Sequence, residues 1–382
     1  MRLVSVQNSS FFVPNPKIFY FCPLKTQNQL TMKKLKKIAS IVMLAAAVVF
    51  AAGCTKPDEP NNGGNDNGGG NDGGGGGETP EVPTVPTGAV DGTFTINEQG
   101  GKVYFSQGNL QYQASTQTWR FGNPWDFVGG TYGITGYNPD GEPWPGTVAE
   151  SNNCLASATY SGWIDLFSWG TSGWNGGVLS YQPYSIVGDP YPCTWAWECY
   201  VLGDNSSNGL VGQYANADWG VYNAISNGGN RAGQWRTLTS DEWEYVVKGR
   251  EGSRFCKATV NEVKGLILIP DGWDNADLAL KSINSTGAGF DANIINQSTW
   301  ENTCAPAGLV FLPQTGKRVC NYMGDHYVVT LDLSEGYGMY WSSTAKSQAA
   351  VYIYNFHSGN VNLDGGGRRE QGMAVRLVQD VH

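Results

Sequence analysis

Trp235-Arg236-Thr237-Leu238-Thr239-Ser240-Asp241-Glu242-Trp243-Glu244-Tyr245 is the stretch whose reading decides the fold. Thr239 is a good N-cap, and Glu242 three residues on completes a capping box, which gives two orphan N–H groups at the helix start side-chain partners. Asp241, Glu242 and Glu244 place negative charge at the positive end of that helix. Trp243, with Val246 and Val247, forms its apolar stripe.

Around this helix the chain reads as short strands and loops. Thr93-Phe94-Thr95-Ile96 and Lys102-Val103-Tyr104-Phe105 alternate about Gly100-Gly101 and predict a hairpin. The apolar runs Leu266–Ile269 and Leu309–Leu312, each stopped by a proline, predict short strands, as does Val328–Leu331. A second helix is expected near Ser298–Ala305. The tail predicts a meander of Gly338–Ser343, Ala350–Phe356 and Gly372–Val378. From Gly129 to Gly233, dense Gly, Trp, Asn and Tyr with little periodicity predict long ordered loops pinned by tryptophans.

The N-terminal part has a different logic. Met32 and Lys33, Lys34, Lys36 and Lys37 precede an apolar run from Ile38 that ends Ala51-Ala52-Gly53-Cys54. A basic segment, a short apolar segment and small residues at the cut describe a secretory signal over residues 32–53. The run is shorter than the ~20 residues a spanning helix needs. Residues 1–31 do not fit that logic and are expected to be an untranslated upstream extension. Residues 54–88 are a Gly/Asn/Pro-rich flexible linker, with too little apolar matter to fold alone. Residues 89–382 then read as one domain.

Seven of the 24 Lys+Arg and none of the 33 Asp+Glu precede Cys54, so the remainder carries 17 basic against 33 acidic residues, a formal charge of −16. A surface this acidic repels phosphate backbones, which argues against nucleic acid as a partner. Cys154, Cys193, Cys199, Cys256, Cys304 and Cys320 follow Cys54. An exported chain permits disulfides, and Cys193 with Cys199, across a Gly/Pro-rich loop, is a plausible local pair among fifteen possible pairings of six cysteines. With only His326, His357 and His382, a His/Cys metal cluster is not expected.

Several segments carry a family resemblance. Ala51-Ala52-Gly53-Cys54 resembles a bacterial lipobox, which implies lipid on the thiol of Cys54. Lys56, Asp58 and Glu59 just after it resemble the export signal that carries Bacteroidota-type lipoproteins to the outer face of the outer membrane. The Trp235–Tyr245 stretch resembles the helix-entry motif of the formylglycine-generating-enzyme superfamily, and Gly372–Val378 resembles its Gly-Phe-Arg ending. Tyr340-Trp341-Ser342-Ser343-Thr344, the run Asp218–Gly229 and Lys102–Leu110 are similar to the Fibrobacter succinogenes major paralogous domain. The ending also looks like that of retroelement-diversified variable proteins. This resemblance implies an α+β, elaborated C-type-lectin-like fold with small antiparallel sheets, about two helices and long ordered loops. It places Trp243 in the core, Trp341 and Val375 on adjacent buried strands, and Arg376 on the opposite face.

Three functional classes follow. An enzyme like the superfamily's namesake needs a redox-active cysteine pair in a Cys-bearing motif. Cys304 and Cys320 lie outside any such motif, Leu238 stands where the namesake has proline, and no Gly-Gly-Ser-Trp precedes the ending. Asp165, Asp218 and Asp274 are not paired by spacing for acid–base work, so the chain is not expected to be an enzyme. A structural filament or spacer subunit would show a donor strand or an apolar edge, and neither stands out. Binding is favoured: Tyr352, Tyr354, Asn355, His357, Asn360, Asn362, Arg368 and Arg369 alternate with Val351, Ile353, Phe356 and Val361 near the end. Tyr, Asn and Arg on a rigid scaffold give large amphipathic area at low entropic cost. The expected partner is a protein or glycan on another cell or host surface, and contact with membrane is expected through the lipid alone. The calcium-type sugar motifs are missing, since Glu142-Pro143-Trp144 and Trp273-Asp274-Asn275 depart from them. No cofactor is expected, although oxygen-rich loops leave room for a structural calcium.

Overall fold

The computed structural model describes residues 84–127, 134–137, 158–184, 196–252, 254–274, 278–322, 327–332 and 336–382. Cys54, its signal segment and most of the linker lie outside the described residues. In chain order the first strands are β1 (Ala89–Thr95), β2 (Lys102–Ser106), β3 (Leu110–Gln113), β4 (Thr118–Phe121), β5 (Ile134–Tyr137), β6 (Trp163–Ile164) and β7 (Arg236–Thr237). Then come β8 (Phe255–Val260), β9 (Val263–Leu268), β10 (Ile294–Ile295), β11 (Val310–Pro313), β12 (Lys317–Tyr322) and β13 (Tyr327–Asp332). The tail supplies β14 (Gly338–Ala345), β15 (Ala350–His357), β16 (Asn360–Arg368) and β17 (Leu377–Asp380). They form sheets ordered β1-β2-β17-β7, β10-β8-β9-β11, β12-β13-β5, β14-β15-β16 and β4-β3-β6. The architecture is mixed α+β, mostly small sheets with few helices.

The capping box forms as the sequence predicts. The Thr239 hydroxyl accepts from the Glu242 N–H at 3.2 Å, and the Glu242 carboxylate accepts from the Thr239 N–H at 2.8 Å. Helix Ser240–Glu244 then widens into a π turn, Tyr245–Gly249. The second helix starts at an Asn296 cap and runs Gln297–Thr299 into the π turn Trp300–Cys304. The predicted hairpin pairs Thr93 with Tyr104 and Phe94 with Val103.

Two sheets divide the apolar interior into layers, because side chains alternate in direction along a strand. In β9, Leu266 and Leu268 enter a first core while Ile267 enters another; in β11, Val310 and Leu312 face the first core and Phe311 the other. In β14, Tyr340 faces the first core, whereas Met339 and Trp341 face a second. Sheets buried on both faces read as unbroken apolar runs, which is why Leu266–Ile269 and Leu309–Leu312 lack alternation. Trp243 lies in the first core between these sheets.

The tail departs from the predicted meander. A strand that the sequence did not suggest, β16, follows β15, with Gly367 opposite Val351, Gly366 opposite Tyr352 and Gly365 opposite Ile353. The segment after it joins the fold through Met373 and Ala374, which bridge to Phe167 and Tyr340, and through β17 beside β2 and β7. Arg376 is fully enclosed, and its Nη1 donates to the Ser106 carbonyl at 3.3 Å.

Candidate functional site

The C-terminal segment does not present its eight expected ligand residues on one surface. Residues directly opposite in an antiparallel pair project to the same face. Phe356 pairs with Val361, and both enter the first core. Asn355 pairs with Asn362 and His357 with Asn360, so these four share the opposite face. Tyr352 and Tyr354, two apart, project with Phe356. A register shift between Ile353 and Asn355 changes the parity along β16. That shift was not visible in the sequence.

Burial corrects the expectation for three residues. Tyr354 is 1 % exposed and stacks on Trp243, with centroids 4.9 Å apart. Arg369 is 0 % exposed: its guanidinium sits 4.5 Å over the Trp169 ring and donates to the carbonyls of Tyr200, Ser206 and Ser347. Asn355 is 8 % exposed. Tyr354 is enclosed because the first core covers the face of β15 that carries it, and Arg369 because Trp169 and three carbonyls receive its guanidinium. Tyr352, His357, Asn360, Asn362 and Arg368 remain at least partly open to solvent. Tyr352 lines a groove of about 370 Å³ with Asp241, Glu244 and Lys248 of the capped helix and with Asp364. Cys199 is buried in the second core; Cys193 lies outside the described residues, so their pairing stays an expectation.

A second constellation, which sequence reasoning did not assign, lies on the side of the second core. Strands β3 and β4 pair Tyr112 with Trp119, whose rings lie 4.4 Å apart. Between and beside them opens a cleft of about 300 Å³, lined by Tyr112, Ala114, Gln117, Trp119, Ala158, Ser172, Gly173, Gln182, Pro183, Tyr184, Tyr222 and Asn223. Among the described residues that line it there is no Asp, Glu, Lys, Arg or His. Burial pushes the Tyr112 phenol up to about 12, helped by neighbouring Tyr184, and Tyr184 is raised for the same first reason. Both rings are therefore neutral at any physiological pH.

The wall that carries Tyr222 and Asn223 is held by a buried carboxylate. Asp218 caps the turn Trp219–Tyr222 by accepting from the Gly220 N–H at 3.0 Å, and it also accepts from the Thr237 N–H at 2.8 Å. A Cβ on Gly220 would come within 2.6 Å of the Trp235 carbonyl, so only glycine lets this turn lie on that backbone. Asn223 Nδ2 donates to the carbonyls of Ser172 and Trp219 at 2.9 and 3.0 Å, which ties the turn to the Ser172–Gly173 wall. Burial raises the Asp218 pKa to about 6 against the lowering effect of its hydrogen bonds.

Other sequence candidates have structural roles. Cys256 and Cys304 are free, fully buried thiols, each raised to about 12 by burial. The Cys320 side chain lies outside the description. Among the described residues no three His, Cys, Asp or Glu side chains stand close enough to hold a metal ion. Likewise no described helix is long and apolar enough to cross a membrane. Comparison with protein-family models finds no match, and searches of curated proteins and of solved structures find none either.

Proposed function

We propose that this chain is a lipid-anchored outer-membrane protein, exposed at the cell surface, whose C-type-lectin-like domain captures a ligand in the Tyr112–Trp119–Tyr222 cleft. The signal-like segment ending at Cys54 and the long Gly/Asn linker support the anchored reading. The resemblance of Trp235–Tyr245, Tyr340–Thr344 and Gly372–Val378 to the formylglycine-generating-enzyme superfamily and the Fibrobacter succinogenes paralogous domain supports the fold.

One observation carries the binding reading: a preformed concave site rich in aromatic and amide side chains on a rigid scaffold. Binding sites of small ligands have this form, an apolar wall with a few placed polar groups. The described thiols do not favour the enzymatic alternative. A thiol raised to about 12 is protonated at neutral pH and is a poor nucleophile.

The test is capture. Purified full-length chain is passed over a panel of glycans and of host-cell and bacterial surfaces, beside a Tyr222→Ala/Gln182→Ala variant of equal melting temperature. Tyr222 is 41 % exposed, so its truncation should barely change stability. The variant should lose whatever the wild type retains; equal retention by both would remove the cleft from the function.

A further inference from the structure

We infer that the cleft takes a neutral, polyhydroxylated ring, a saccharide unit without carboxylate, sulfate or ammonium, and that it does so without a metal ion. The inference rests on the binding reading above and names its ligand class.

Three features of the lining carry it. The first is charge. The chain is acidic overall, yet no charged side chain lines this cleft among the described residues. A charged ligand entering it would give up hydration without gaining an opposite charge, and such desolvation is costly. The second is unspent hydrogen-bonding capacity. The amides of Gln117 and Gln182 and the hydroxyls of Tyr184 and Tyr222 make no hydrogen bond to another described residue, while Asn223 spends its N–H groups and keeps its carbonyl oxygen. An aliphatic ligand would strand these groups without partners, and a buried unpaired donor or acceptor is costly. A ring edged with hydroxyls satisfies donors and acceptors alike.

The third is shape. About 300 Å³ is at the lower end for a small-molecule site, which suits one ring rather than a lipid chain. Tyr184 and the exposed ring of Tyr222 supply flat faces for the C–H side of such a ring, Trp119 backs the cleft from the core, and the amides reach its rim. Because Tyr112 and Tyr184 stay neutral and no charged side chain lines the cleft among the described residues, binding should be flat across the physiological pH range.

The experiment is calorimetric titration of the full-length chain with glucose, galactose, N-acetylglucosamine and their short oligomers. N-acetylneuraminic acid and glucosamine serve as charged comparators, and chelator is present throughout. The expected result is saturable binding of at least one neutral sugar, on the order of 1 mM for a single ring of roughly a dozen atoms. Affinity should drop about tenfold or more in Tyr222→Ala and in Gln182→Ala, and less in Tyr222→Phe, which keeps the ring face. Preference for a charged comparator, or a need for calcium, would overturn the inference. If no sugar binds while the Tyr222→Ala/Gln182→Ala variant still loses surface capture, the saccharide assignment is overturned and the cleft keeps its binding role for a neutral peptide. If neither sugar binding nor variant-dependent capture is seen, both readings fall.

Discussion

The ring of Tyr354 lies against that of Trp243, with centroids 4.9 Å apart and planes only 14° from parallel. This contact fastens the C-terminal hairpin to the capped helix, and it converts a residue of apparent binding type into a core residue. The Tyr354 hydroxyl is buried and has no partner among the described residues. Tyr354→Phe is therefore predicted to be neutral or stabilising by up to about 1 kcal/mol, because it removes an unsatisfied group. Tyr354→Ala should cost about 3–5 kcal/mol. Urea melts rank the two; a costly Phe variant would show that the hydroxyl has a partner.

The capping box and its anchor differ in weight. Thr239→Ala removes the hydroxyl that accepts from Glu242 N–H and should cost about 0.5–2 kcal/mol. Trp243→Ala empties a site between two sheets and should cost about 3–5 kcal/mol. The reverse order in denaturant melts would contradict the placement of Trp243 at the centre of the first core.

Asp218 gives a pH signature. Its folded-state pKa of about 6 lies above its unperturbed 3.8, so between these values the folded chain binds the proton more tightly than the unfolded one. Its contribution to stability is fully present below pH 3.8 and is lost as pH rises through about 6. The loss is about 3 kcal/mol for a shift of roughly two units. The stability difference between wild type and Asp218→Asn should change by most of that amount between pH 4 and 7. A constant difference would mean that the carboxylate is already ionised at pH 4.

Anchoring tests the N-terminal reading. Cys54→Ala should abolish labelling by radioactive palmitate and release the protein from membranes. Unchanged labelling in the variant would sink the lipoprotein proposal.

Local signals made much of the fold legible. Thr239 and Glu242 sit three apart, and proline closes the strands at Pro270 and Pro313. These features depend on neighbours in the chain, so sequence shows them. The two-faced burial of β14 and of much of β15 does not: it arises because the first core, with the capped helix, and the second core cover these strands from either side. Polar side chains such as Arg369 could be enclosed there because Trp169 and three carbonyls receive the guanidinium. The cleft was half visible. The run Asp218–Gly229 stood out, but its link to Tyr112, Trp119 and Gln182 is tertiary, and aromatic and amide residues are too common in this chain to mark a site by themselves.

The central claim is that ligand is held at the cleft and not on the C-terminal hairpin. The most direct measurement is affinity of the full-length chain for one captured ligand, in wild type and two variants matched in melting temperature. One carries Tyr222→Ala with Gln182→Ala in the cleft; the other carries Tyr352→Ala, Asn360→Ala and Arg368→Ala on the hairpin. The account predicts a loss of tenfold or more, about 1.4 kcal/mol or above, in the cleft variant, with the hairpin variant unchanged. Unchanged affinity in the cleft variant and loss in the hairpin variant would contradict it.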